Sequence, residues 1–186
     1  MKKILFTLSL CLLGGSLLAQ KTVIKINPLP AFALTANAAI ERQVAPQFSV
    51  QLGGIYTGAS FQDYTFRGFG ITPEVHYYFP NQQKDNANSP EGFYAAPYFR
   101  YYNFTLENDG DTPFKGEVNI TGGGVVLGYQ VLAGQNNNFA FSVFAGPGYL
   151  SQGKVDIERG EEEDFEVPSI LNGFAPRFGL TIGLAF

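Results

Sequence analysis

The chain has 186 residues, 12 basic and 16 acidic, a formal net charge of −4, one cysteine and no tryptophan. The negative balance argues against nucleic acid as a partner, and a single cysteine excludes a disulfide framework and a thiolate metal site. Against that stand 22 glycines, 18 phenylalanines and 10 tyrosines, a composition suited to aromatic strands and tight turns.

The first element, "MKKILFTLSLCLLGGSLLAQ", reads as a cleaved signal peptide over residues 1–20. Lys2 and Lys3 head an apolar run from Ile4 to Leu13, and Ala19 and Gln20 offer the cut. Gly14, Gly15 and Ser16 end the run well short of the roughly 20 apolar residues of a membrane-spanning helix. Cleavage would remove two lysines, no acid and the lone Cys11, leaving 10 basic and 16 acidic residues, net −6, in one domain at 21–186.

Beyond residue 20 no stretch shows the i, i+3, i+4, i+7 recurrence of a helix, and apolar residues instead fall at every second position. Eight strands are predicted: 22–27, 31–41, 47–57, 66–79, 92–104, 119–131, 139–149 and the closing 176–186. The second alternates Phe32, Leu34, Ala36, Ala38 and Ile40 against Thr35, Asn37, Ala39 and Glu41. The fourth sets Phe69, Ile71, Val75 and Tyr77 against Gly68, Gly70, Thr72, Glu74 and His76. In the seventh, Phe144 breaks the pattern.

One face of every strand is large and apolar; the other is small or polar and carries the few charges. An eight-stranded interior is just wide enough to be filled by side chains. Rows of Phe and Leu would crowd it, whereas Gly, Ser, Ala and Thr with a few ions would fit. The apolar face is therefore expected outward, in lipid. Backbone groups in hydrocarbon must all pair, so the sheet must close. The predicted fold is all-β: an eight-stranded antiparallel up-and-down transmembrane β-barrel.

An even strand count puts both termini on one side, with outer loops expected at 58–65, 107–117 and 151–173 and inner turns at 42–46, 80–91 and 132–137. Three features fit this plan poorly. The 80–91 segment, "PNQQKDNANSPE", is long for an inner turn. The first hairpin must turn inside "NPLPA", and a single kinked strand over 22–41 is the alternative. Pro73, Pro97, Pro147 and Pro176 all lie within strands, where a closed sheet has no free edge for them.

"IERQVAPQFSVQLGG", "GITPEVHYYF", "GFYAAPYFRYY", "GGGVVLGYQ" and "PRFGLTIGLAF", in that order, resemble a family of small bacterial outer-membrane barrels of unknown function. That family is similar in architecture to the OmpA transmembrane domain and OmpX. The resemblance implies export to the outer membrane of a Gram-negative bacterium, contact with its lipids and with the barrel assembly machinery during insertion, and a monomer. The closing strand is similar in pattern to the signal that machinery reads, which points to Ile182, Leu184 and Phe186 as a terminal assembly signal. Gly179 and Gly183 do not fall where the strict form of the signal places its glycine.

Inward parity gathers Lys25, Glu41, Glu74, His76, Arg100 and Arg177 into a lumen charge cluster, with Glu74 and Arg100 expected to pair across the fourth and fifth strands. Salt bridges plugging the bore are the reading preferred over an ion pathway or an acid–base pair, since a lone charge there is costly. A single histidine excludes a multi-histidine metal site, and no serine is evident for a Ser–His–acid relay, so neither enzymatic activity nor a cofactor is expected. Gly122–Gly124 lack the Lys-Ser/Thr of a phosphate loop and read as close strand packing. Between 151 and 173 the chain is acidic; Glu161, Glu162, Glu163 and Asp164 could collect divalent cations or meet a basic partner, against the plainer reading of a solvated loop. The expected role is structural or surface-interacting. A narrow pore or transporter for small solutes is the alternative, and a soluble ligand-binding barrel is a third reading.

Overall fold

A computed structural model describes residues 22–61, 64–80, 89–108, 114–159 and 173–186. The expected signal peptide at 1–20 and Glu161, Glu162, Glu163 and Asp164 lie outside these residues. Period-two alternation produces ten strand segments: β1 Thr22–Ile26, β2 Thr35–Ala45, β3 Phe48–Phe61, β4 Tyr64–Tyr78, β5 Gly92–Asn108, β6 Phe114–Ala133, β7 Phe139–Gly146, β8 Gly148–Arg159, β9 Gly173–Phe174 and β10 Arg177–Ala185. Segments β7 and β8 are one stave interrupted at Pro147, and β9 and β10 one stave interrupted at Ala175–Pro176. Eight antiparallel staves result. Each pairs with its neighbour in sequence, and β1 closes on β10 over Ile182–Ala185, leaving the Arg177–Thr181 part of β10 without a strand on that flank. At that seam Thr22 N–H donates to the Phe186 carbonyl at 3.1 Å and Phe186 N–H to that of Thr22 at 2.9 Å.

The large apolar side chains point away from the bore. On β3, Phe48, Val50, Leu52 and Tyr56 are 44–61% exposed while Ser49 between them is fully buried. The same alternation holds for Phe69, Ile71 and Val75 on β4 and for Ile182 and Leu184 on β10. A water-soluble barrel would bury this face, so the soluble reading is not met.

Three expectations need correction. The second stave starts at Thr35, not Ala31, because Pro28 and Pro30 initiate a 3-10 turn over Leu29–Ala33 that Leu34 ends in the left-handed region, φ 52°. Both the abrupt turn and the single kinked strand are thereby replaced by a short β1 and an eight-residue crossing. The outer loops are also shorter than read, since β3 reaches Phe61, β4 begins at Tyr64 and β5 runs to Asn108. Apolar alternation marks only the part of a stave with an apolar surround; the ladder itself continues through polar pairs such as Ser60 and Thr65, whose hydroxyls lie 3.2 Å apart. Finally, the bore holds large rings as well as small residues. Tyr78, Tyr94, Tyr98, Tyr102 and Phe104 are buried in it, and Phe144 packs against them, which accounts for its break in parity.

Glycines make the room for these rings. Tyr94 faces Gly128 across the ladder, Tyr98 faces Gly124, Tyr102 faces Gly70, Phe104 faces Gly68 and Phe144 faces Gly179. At each of these glycines a methyl group would overlap atoms of the facing side chain. Large and small residues thus interdigitate across facing positions, as a close-packed interior requires.

The prolines also find their place. Register carries unbroken across the interruption, with Gly146 opposite Arg177 and Tyr149 opposite Phe174, which sets Pro147 opposite Pro176. Pro97 lies opposite Val125, whose N–H donates to the Pro147 carbonyl at 3.2 Å. All four strand prolines are exposed on the outer face, and each coincides with an interruption or thinning of a ladder, where a missing N–H costs least.

Candidate functional site

Two carboxylates organise the middle of the bore. Glu41, on β2, is fully buried and accepts from four side chains, with a fifth close by. Lys25 Nζ on β1 lies 2.6 Å from its Oε2, and Gln130 Nε2 on β6 donates to the same oxygen at 3.1 Å. Its Oε1 takes the Tyr78 hydroxyl at 2.7 Å and the Ser49 hydroxyl, and His76 Nδ1 stands 3.4 Å away without hydrogen-bond alignment. Five staves are tied together through one side chain. Charge-assisted bonds of this kind are the strong ones, and a buried charge survives only when so satisfied.

Glu74, on β4, is the second centre. Arg177 Nη2 reaches it at 2.6 Å from β10, Gln51 Nε2 at 2.9 Å from β3, and His76 Nε2 at 3.3 Å. His76 therefore stands between the two carboxylates, its ring stacked on Tyr94 at 4.6 Å and 12°. The expected Glu74–Arg100 pair is not formed: Arg177 occupies the carboxylate, and the Arg100 guanidinium lies instead against the rings of Tyr98 at 5.2 Å and Tyr102 at 5.7 Å. Register explains the difference. Glu74 is opposite Tyr98, so Arg100 is displaced along the stave, whereas Arg177 approaches across the bore.

All six residues of the predicted cluster thus face the bore, and Lys25, Glu41, His76, Glu74 and Arg177 form one continuous chain of contacts. Sequence reasoning missed Ser49, Gln51, Tyr78 and Gln130 as partners, although all are polar residues at inward parity. Ser49 lies directly opposite His76, but its hydroxyl serves Glu41 and both histidine nitrogens face carboxylates. These groups do not make the nucleophile–base contact of a hydrolase relay. At the terminal strand, Ile182, Leu184 and Phe186 all lie on the outer face. Gly122 and Gly123 sit where β6 crowds the backbones of β8 and β5, which agrees with close packing.

The solved structures that resemble this chain include those of three proteins. The N-terminal β-barrel domain of Pseudomonas aeruginosa OprF is 14% identical, with 89% of this chain and 97% of that one covered and a TM-score of 0.48. For a major outer membrane protein from Thermus thermophilus the values are 15%, 91%, 100% and 0.48. For Neisserial surface protein A they are 12%, 90%, 96% and 0.43. No curated protein matches the sequence. A family model does, over residues 4–167, and the chain accordingly belongs to DUF3575, a family of proteins of unknown function.

Proposed function

We propose that the protein is an integral outer-membrane β-barrel with a structural or surface-interacting role, its bore closed by the Glu41–Glu74 network, and without enzymatic activity. One observation carries this reading. The apolar side chains of a closed barrel face outward as a continuous wall, and only lipid stabilises such a face. In this reading the termini lie on the periplasmic side, Phe186 belongs to an aromatic girdle, and Ile182, Leu184 and Phe186 serve the assembly machinery. Cell fractionation tests both parts. The full chain is expected in the outer-membrane fraction, migrating differently on a gel when unheated and when boiled, and a chain lacking Phe186 is expected there at clearly reduced yield. Recovery of the full chain in the soluble fraction would end the membrane reading; equal yields would end the assembly role.

Closure of the bore separates a structural barrel from the pore alternative. Val23, Leu132, Ala140 and Ala185 pack together at the end bearing the termini, and the two carboxylate centres lie above them. In planar bilayers the purified barrel is expected to give no steady current in molar salt. A stable unitary conductance in most insertions would favour the pore.

A further inference from the structure

Above the Glu74 centre the bore widens into a cavity of about 200 Å³. Its charges do not balance. Arg177 and Glu74 form an ion pair at 2.6 Å, but Arg100, which also lines the cavity, has no carboxylate partner among the described residues. Arg100 Nε and Arg177 Nη1 are both buried and make no hydrogen bond. The two guanidiniums converge on one ring, Arg100 at 5.2 Å and Arg177 at 4.7 Å from the centre of Tyr98. Cation–π contact offsets part of what such a charge loses on leaving water, but it leaves in-plane donors such as Nε unused.

We propose that this cavity binds a small oxyanion of the carboxylate or phosphate class, held mainly by Arg100 with Arg177 as the second contact. A guanidinium presents its donors as a planar fork that matches two oxygens of such an anion. Asn37, Thr72 and Thr181 add an amide and two hydroxyls to the same wall. The volume is enough for an acetate or phosphate with part of its hydration and falls below that of a site for a drug-sized molecule.

Access comes from the shortness of β1. That strand pairs with β10 only from Ile182 onward, so Arg177–Thr181 has no strand beside it on that flank. The crossing through Pro28 and Pro30 covers the gap, and Asn27 and Pro30 line the cavity there. The inference goes beyond the membrane reading and does not depend on where the barrel resides.

The test is calorimetric titration of the full chain, refolded in detergent, with sodium phosphate and sodium acetate against sodium chloride at equal ionic strength. One site per chain is expected for at least one oxyanion, with a dissociation constant in the millimolar range or tighter. Arg100→Gln is expected to weaken it at least tenfold, and Asn37→Leu, which keeps both arginines but replaces the lining amide with an apolar group of similar shape, to weaken it as well. Arg42→Gln, a change on the outer face, should leave it unaltered. Folding of each variant is read from its heat-modifiable migration, and Asn37→Leu decides alone if Arg100→Gln does not fold. No saturable heat from either oxyanion, equal heat from chloride, or unchanged binding in the folded variants overturns the proposal.

Discussion

Glu41→Gln is expected to lower the stability of the refolded barrel by about 3–5 kcal/mol, read as a shift in the urea midpoint at unchanged slope. The size follows from what the substitution leaves behind. Lys25 Nζ sits 2.6 Å from Glu41 with its side chain only 3% exposed. A glutamine retains the shape and some hydrogen bonding but not the charge, so an ammonium is left buried without a counter-ion. With the amide oxygen in place of Oε1, Tyr78 and Ser49 keep an acceptor, whereas Gln130, which donates to Oε2, meets an NH2 and loses its bond, so the loss is mainly the ionic part plus one hydrogen bond. The paired change Lys25→Met with Glu41→Gln removes the stranded charge and is expected to recover to within about 2 kcal/mol of wild type. A single-variant loss below about 1 kcal/mol would mean that water reaches Lys25 and that the bore is not closed at this level.

The outer face was legible because lipid and bore impose opposite demands on alternate residues, and that alternation survives in any stave that crosses. Lys25, Glu41, Glu74, His76, Arg100 and Arg177 share inward parity and lie on the bore face for the same reason. Partner choice was not legible. Whether Glu74 meets Arg100 or Arg177 depends on the stagger between staves and on distances across the bore, which a linear pattern does not contain. The aromatic filling was half visible: Tyr94, Tyr98 and Tyr102 share inward parity, but their glycine partners lie 26 to 34 residues away in sequence and become partners only through register. Loop lengths were misjudged because the reading followed hydrophobicity, and strands continue wherever backbone pairs with backbone.

Those glycines supply the second large effect. Glycine is a poor strand former and valine a good one, so Gly→Val on a stave should be neutral or favourable unless packing forbids it. Gly54 offers the control, since a methyl group there meets nothing closer than 4.0 Å and the residue faces outward. At Gly128 the three atoms nearest an added Cβ, at 2.3–2.7 Å, all belong to Tyr94. That ring has nowhere to go. Its hydroxyl is 3.0 Å from Ser142 Oγ, one face is stacked on His76, and Tyr78 lies 5.4 Å off. Gly128→Val is therefore expected to cost about 3 kcal/mol or to prevent refolding, while Gly54→Val changes the urea midpoint little or raises it. Tyr94→Ala alone should cost about 3–5 kcal/mol through the cavity it opens. Combined, the two changes fill that cavity with the new valine, and the double variant should be more stable than the sum of the singles by at least about 1 kcal/mol. If the two losses simply add, Gly128 is not there to admit Tyr94, and the interdigitation of rings with glycines is not what holds the bore closed.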